Sequence, residues 1–154
     1  VVFTLVDEDP GPREQHWNDS WAGYPAARQR LLESVAASGA RNPLILGGDI
    51  HAFIAADQPL RAGDPASPIA MSELVTTSIT SGPPPKRVME AYRTAGRDVA
   101  FSDGEHRGYL WFEVGPERLE AKLQGYDSVR PATGAVERTL FSCALEDGRP
   151  GLQA

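Results

Sequence analysis

Cysteine is almost missing: Cys143 is the one thiol in 154 residues, so no intrachain disulfide framework holds this chain. It sits in the alternating segment "RTLFSCAL", where a small buried hydrophobe is its expected role. Positive charge is also scarce. Lys and Arg number 15 against 21 Asp and Glu, for a net charge of -6, and no block of basic residues occurs. That argues against binding a nucleic-acid scaffold through a basic face. No apolar run is long enough to span a bilayer, and no basic-then-apolar leader is present. The chain opens "VVFTLVDEDP" without Met; a removed leader, or a cut through a larger domain, would each account for that start. Repeats and low-complexity tracts are lacking too. With 41% hydrophobic and 23% charged residues, the length suffices for one globular segment around a single core.

What is present alternates between helix and strand patterns. "GYPAARQRLLESVAASGA" is the clearest helix: Pro25 suits the first turn, where its missing N–H is not needed, and Gly39 suits the C-terminal stop. Tyr24, Ala27, Leu31 and Val35 fall on one stripe flanked by Leu32 and Ala36, which leaves Arg28 and Glu33 to face water. Residues 55–72 carry three prolines and no steady period, and read as a long loop. "ELVTTSITSG" reads as a strand rich in β-branched residues, ending at Gly82. A short helix is expected around Arg87 to Arg93. From Gly108, "YLWFEV", the turn "GPE" and "RLEAKLQGY" predict a hairpin with Leu119, Ala121 and Leu123 alternating against Glu120, Lys122 and Gln124. "RTLFSCAL" supplies a further strand, and the polar tail "EDGRPGLQA" is expected to fray.

The stretch "NPLILGGDIHAF", residues 42–53, carries the chemistry. Leu44-Ile45-Leu46, bounded by Pro and Gly, fits a buried strand in a covered sheet. Gly47 and Gly48 allow a tight turn or close approach of a ligand. Asp49 and His51 then stand where α/β folds place functional groups, at the C-terminal end of a strand. Carboxylate and imidazole both bind metals and handle protons. A loop Asp bonding its own backbone beside a surface His is the plainer alternative for so short a motif.

Longer blocks weigh on that choice. "WNDSWAGYPAARQRLLE", "LILGGDIH", "ELVTTSITSG", "HRGYLWFEVGPERLEAKL" and "EDGRPGLQ", in this order, resemble consecutive blocks of the PhoD-like alkaline phosphatases, within the calcineurin-like metallophosphoesterases. The resemblance covers the C-terminal part of that family's catalytic domain, with residues 1–154 as a single segment and the N-terminal part, which carries further metal-binding blocks, absent. It implies an α/β fold: the C-terminal half of a four-layer α/β/β/α sandwich. It also implies hydrolysis of phosphate mono- or diesters by a metal-bound hydroxide, with part of the active site supplied here. A catalytically silent scaffold or binding fragment of such an enzyme is the alternative.

Under that resemblance Asp49 matches a metal ligand, and His51 a ligand or catalytic phosphate contact. Iron and calcium are the implied metals; hard carboxylate oxygen suits Ca²⁺ or Fe³⁺ and imidazole a transition metal. The implied partners are a phosphate-ester substrate and the missing N-terminal part of the same enzyme, and the implied location is outside the cytoplasm. "SWAGYP" has Ala22 where the family commonly has an acid. Trp21 and Tyr24 would line the cleft or pack at the helix start. Thr76, Thr77 and Ser78 would turn hydroxyls to a site or satisfy neighbouring backbone. His106 and Arg107 precede the hairpin as substrate-binding candidates, Arg107 clamping a phosphate oxygen, against a solvated loop pair. His16 has no helpful neighbour and is assigned nothing.

Overall fold

The computed structural model describes residues 3–4, 18–94, 98–130 and 134–154. His16 and most of the strand-like opening lie outside the described residues. A 3-10 turn, Trp21–Gly23, leads into helix α1, Pro25–Ala37. Pro25 takes the first turn as expected, and Gly39 at φ +68° adopts the left-handed conformation that follows a helix end. Strands β1 (Leu44–Gly47), β2 (Phe53–Pro59), β3 (Ile69–Val75) and β4 (Val99–Asp103) form a mixed sheet ordered β1-β3-β2-β4. Helix α2, Lys86–Thr94, joins β3 to β4. Strands β5 (Arg107–Val114), β6 (Arg118–Tyr126), β7 (Glu137–Glu146) and β8 (Arg149–Gln153) form an antiparallel meander.

The chain is thus α/β with two stacked sheets. Phe53, Ala55 and Leu74 of the mixed sheet pack against Ala121, Leu123 and Cys143 of the meander. The period-2 alternation sends Ile54, Ala56 and Val75 to the opposite face, beneath Val88, Met89 and Tyr92 of α2. Met71 and Ile45 lie under α1, against Leu31, Leu32 and Val35. The meander's outer face is polar and internally partnered: Tyr109 and Tyr126 both donate to Glu137, and Thr139 to Gln124. Lys122 lies 4.7 Å over the Trp111 ring. Among the described residues there are three layers: helices, mixed sheet, meander.

Register fixes what gathers at one end. β1 and β3 are parallel and end side by side, with Gly47 opposite Val75. β2 starts antiparallel beside them, Ile54 opposite Val75, and β4 ends opposite its first residue, Phe53 to Asp103. The segments after β1, β3 and β4 therefore emerge together.

Several expectations need correction. β1 is an edge strand rather than a buried one, and Leu46 is 59% exposed. Residues 55–72 are not a long loop; most belong to β2 and β3, and the connection closes through Leu60 N–H to Pro68 O at 2.9 Å. The polar residues that disguised β2 are all partnered. Asp57 accepts from Ser72 Oγ at 2.6 Å and from Leu152 N at 3.0 Å, and Gln58 bonds Arg28 and Thr4. The strand expected through Gly82 stops at Val75. The tail does not fray: β8 pairs with β7, Leu152 joins the core, and its amide holds Asp57.

Arg28 does not face water; it is 4% exposed. Its Nε donates to Phe3 O at 2.9 Å and its Nη2 to Gln58 Oε1 at 2.8 Å, with the guanidinium 4.5 Å over the Phe3 ring. Beside it Glu73, fully buried on β3, accepts from Phe3 N (2.6 Å), Thr4 N (2.8 Å), Thr4 Oγ1 (2.5 Å) and Gln58 Nε2 (3.2 Å). Burial pushes the Glu73 carboxyl up, opposed by these bonds and by Arg28. Burial likewise brings Arg28 down to about 10, opposed by Glu73. Residues 3–4 are thereby fastened to the centre of the mixed sheet.

Candidate active-site cleft

Asp49 and His51 lie in the short connection between β1 and β2, at the end where three segments emerge. The turn is made not by the two glycines but by the two candidate residues themselves, Asp49 at φ 82° and His51 at φ 60°. Non-glycine residues rarely adopt this region, and such strain concentrates at sites where side-chain direction matters. His51 Nδ1 lies 3.0 Å from Gly82 O. A carbonyl can only accept, so Nδ1 is the donor in this contact and Nε2 takes no part in it.

The surrounding backbone is tied down. Thr77 Oγ1 lies 3.1 Å from both His51 O and His106 O, so one hydroxyl proton serves two carbonyls. Thr76 N donates to Gly47 O at 3.0 Å, and Ser78 Oγ to Ser81 O at 2.8 Å. The hydroxyls of Thr77 and Ser78 therefore take the backbone-satisfying role.

Arg107 is 7% exposed and is built into the same region. Its Nε donates to His106 O (2.8 Å), its Nη1 to Ser78 Oγ (2.9 Å) and Ser81 O (2.8 Å), and its Nη2 to Gly104 O. Burial lowers the pKa of this guanidinium, and Asp103 opposes the shift. Four of its five N–H groups are engaged with protein. His106 Nδ1 pairs with Asp103 Oδ2 at 3.0 Å, and the backbone N–H of Glu105 and His106 cap Asp103 Oδ1.

Asp49 and His51 open into a cleft of about 450 Å³. Asp19, Pro84, Pro85, Arg87, Val88 and Tyr92 complete its lining together with Ile50. The structure thus brings Asp49 and His51 together and leaves His106 and Arg107 out of the lining, behind the Thr77 hydroxyl. Trp21 and Tyr24 line a separate hollow with Asp19, and Trp21 packs on Phe3 at 5.1 Å between ring centroids. Asp19 and Arg87 were not legible as site residues, because nothing in the order of residues shows that positions 19, 49 and 87 converge. Among the described residues no three His, Cys, Asp or Glu side chains converge as a metal cage.

Fold and cleft together define a class: an α/β chain presenting an acid and an imidazole at the C-terminal end of paired parallel strands, where such folds site their ligands. Comparison with known proteins narrows it. The family model described as PhoD-like phosphatase matches residues 1–123, and the chain belongs to that family of phosphoester hydrolases. Alkaline phosphatase D of Bacillus subtilis (strain 168) is 33% identical over 142 residues, covering 88% of this chain and 23% of that protein. A solved structure titled "Structure of PhoD" matches at a TM-score of 0.83 and 26% identity, over 99% of this chain and 30% of that one. The chain therefore spans less than a third of the length of each of these relatives. None of its described helices is long and apolar enough to cross a membrane.

Proposed function

We propose that this segment supplies Asp49 and His51 to the active site of a metal-dependent phosphoesterase acting on phosphate mono- or diesters. The observation that supports it is the strained pair itself: two polar side chains at positive φ, held by Thr77 and Gly82, open into one cleft. Their donor chemistry fits a metal in part. The Asp49 carboxylate offers hard oxygen and His51 Nε2, in the neutral ring, a lone pair, but two donors fall short of the four that even tetrahedral zinc takes. The remaining donors belong, on this reading, to the rest of a longer enzyme, whose helices would also complete a four-layer α/β/β/α sandwich. Iron and calcium, by family resemblance, would supply an acidified water as nucleophile and positive charge against the phosphoryl oxygens. The protein's own share is positional. Asp49 holds negative charge for cations, His51 offers Nε2 to metal or phosphate, and Arg107 acts behind them as a positioning residue. Export from the cytoplasm belongs to the same reading.

The test is made on the full-length enzyme. Asp49→Asn keeps shape and removes charge, so metal content by elemental analysis and phosphatase rate should fall together. His51→Ala should lose roughly 10²-fold in turnover while part of the metal remains. Wild-type metal content and rate in Asp49→Asn would return Asp49 to an ordinary loop residue.

A further inference from the structure

Among the described residues that line the cleft stands one guanidinium with no motif to mark it. Arg87 lines the cleft from α2, together with Asp49 and His51. Among the described residues it has no hydrogen bond and no ion pair, although Asp19 and Asp49 line the same space. Glu90, one turn along the helix, is taken by Arg93 at 2.6 Å. Arg87 is thus, among the described residues, a cation without a partner in a cleft that two carboxylates also line.

Its placement also runs against helix stability. The first turn of α2 contains Lys86 and Arg87 and no acid, whereas the positive end of a helix favours negative side chains. Local departures of this kind are expected at functional positions. The element that carries Arg87 is fixed: Val88 N donates to Pro85 O at 2.9 Å, and Val88 and Tyr92 pack into the cluster that contains Ile50, the residue between Asp49 and His51. The guanidinium therefore projects from a rigid wall that shares its core with the connection carrying Asp49 and His51.

We infer that Arg87 binds the phosphoryl group of the substrate, presenting its planar fork to two non-bridging oxygens. The inference rests on the phosphoesterase reading of the cleft. A guanidinium matches phosphate in two parallel hydrogen bonds, which an ammonium cannot reproduce. Among the described residues its neighbours in the lining, Pro84, Pro85 and Val88, are apolar, and neither Asp19 nor Asp49 forms an ion pair with it.

The experiment uses the full-length enzyme with p-nitrophenyl phosphate as substrate and inorganic phosphate as competitive inhibitor. Arg87→Ala should raise KM and the phosphate inhibition constant together, by about tenfold or more, with metal content unchanged. Arg87→Lys should recover part of the loss and Arg87→Gln little of it. Folding is not at issue, because the side chain is exposed and makes no bond within the described residues. An unchanged phosphate inhibition constant overturns the proposal, including when KM rises only for esters with a charged leaving group. Asp49→Asn run in parallel separates the two readings. If that variant is inactive and Arg87→Ala behaves as wild type, the Arg87 assignment alone fails. Full activity in Asp49→Asn removes the site and this assignment with it.

Discussion

Glu73→Gln is the sharpest test of how residues 3–4 are held. The two backbone donors go to different oxygens, Phe3 N to Oε1 and Thr4 N to Oε2. A glutamine has one acceptor oxygen, so either orientation turns an NH₂ group toward a backbone N–H. Keeping the oxygen at the Oε2 position is cheaper, because Thr4 Oγ1 and Gln58 Nε2 also point there. The fully buried Phe3 amide then loses its acceptor, at about 1–3 kcal/mol, and the new NH₂ group is left unpaired at a similar cost. Neutralising the carboxylate recovers part of its desolvation, but strands the buried Arg28 without its counter-charge. The net expectation is about 3 kcal/mol of lost stability. The assay is urea unfolding of the full-length protein together with amide exchange at Phe3 and Thr4, which should accelerate first. Arg28→Met should cost about 3–5 kcal/mol, and the double variant less than the sum, since both act on one network. A Glu73→Gln protein within about 0.5 kcal/mol of the parent, with unchanged exchange, would refute the account.

Three further outcomes follow from the geometry. Burial lifts the Cys143 thiol to about 11 from an ordinary 9.0, so it should resist a thiol reagent at pH 8 until denaturant is added. Because the folded state holds that proton longer, the stability it contributes is full below about pH 9 and declines as pH rises toward about 11; rapid native labelling would contradict this. Gly108→Ala would place a Cβ 1.8 Å from Gln124 O in the β5–β6 ladder, so a loss of about 1–3 kcal/mol or more is expected in a melt, and a neutral result would mean the strands are not so close. Thr77→Val keeps shape while removing the hydroxyl between His51 O and His106 O; about 1 kcal/mol of stability should go, with a larger fractional drop in kcat than in metal content.

The sequence was most legible where one physical rule acted alone. Pro25, the stripe from Leu31 to Val35, and Gly39 gave α1, and the alternation from Leu119 to Leu123 gave the hairpin, because packing on one face wrote the pattern directly. It failed where polar residues are buried with partners. Asp57 and Gln58 look like loop residues, and Arg28 looks like a solvent-facing charge, until residues distant in the chain satisfy them. The tail failed for the same reason: "EDGRPGLQ" is polar, yet β7 and Asp57 give its backbone somewhere to bond. For the cleft, Asp49 and His51 were visible through their place after a strand. Asp19 and Arg87 were not, since only the three-dimensional packing brings them to the cleft, Arg87 through α2, which packs against Ile50.

That difference bears on Arg107, expected from its chemistry as a phosphate clamp and engaged in the structure by four protein acceptors. Holding Asp49 and His51 at positive φ costs of order 1–3 kcal/mol each, and such a loop relaxes unless its surroundings over-determine it. The restraint comes from the segment after β3. Gly82 O holds the His51 ring, Thr77 holds the His51 carbonyl, and both lie on a stretch without regular structure. That stretch is fixed in turn by Arg107, which bonds Ser78 Oγ and Ser81 O on one side and His106 O and Gly104 O on the other. A lysine at 107 could carry the charge but not four divergent bonds. The Arg107 guanidinium therefore braces the loop, and the guanidinium that lines the cleft without a partner among the described residues is Arg87. Removing the brace should loosen His51 without altering any atom that faces the cleft, so catalysis would suffer through geometry alone.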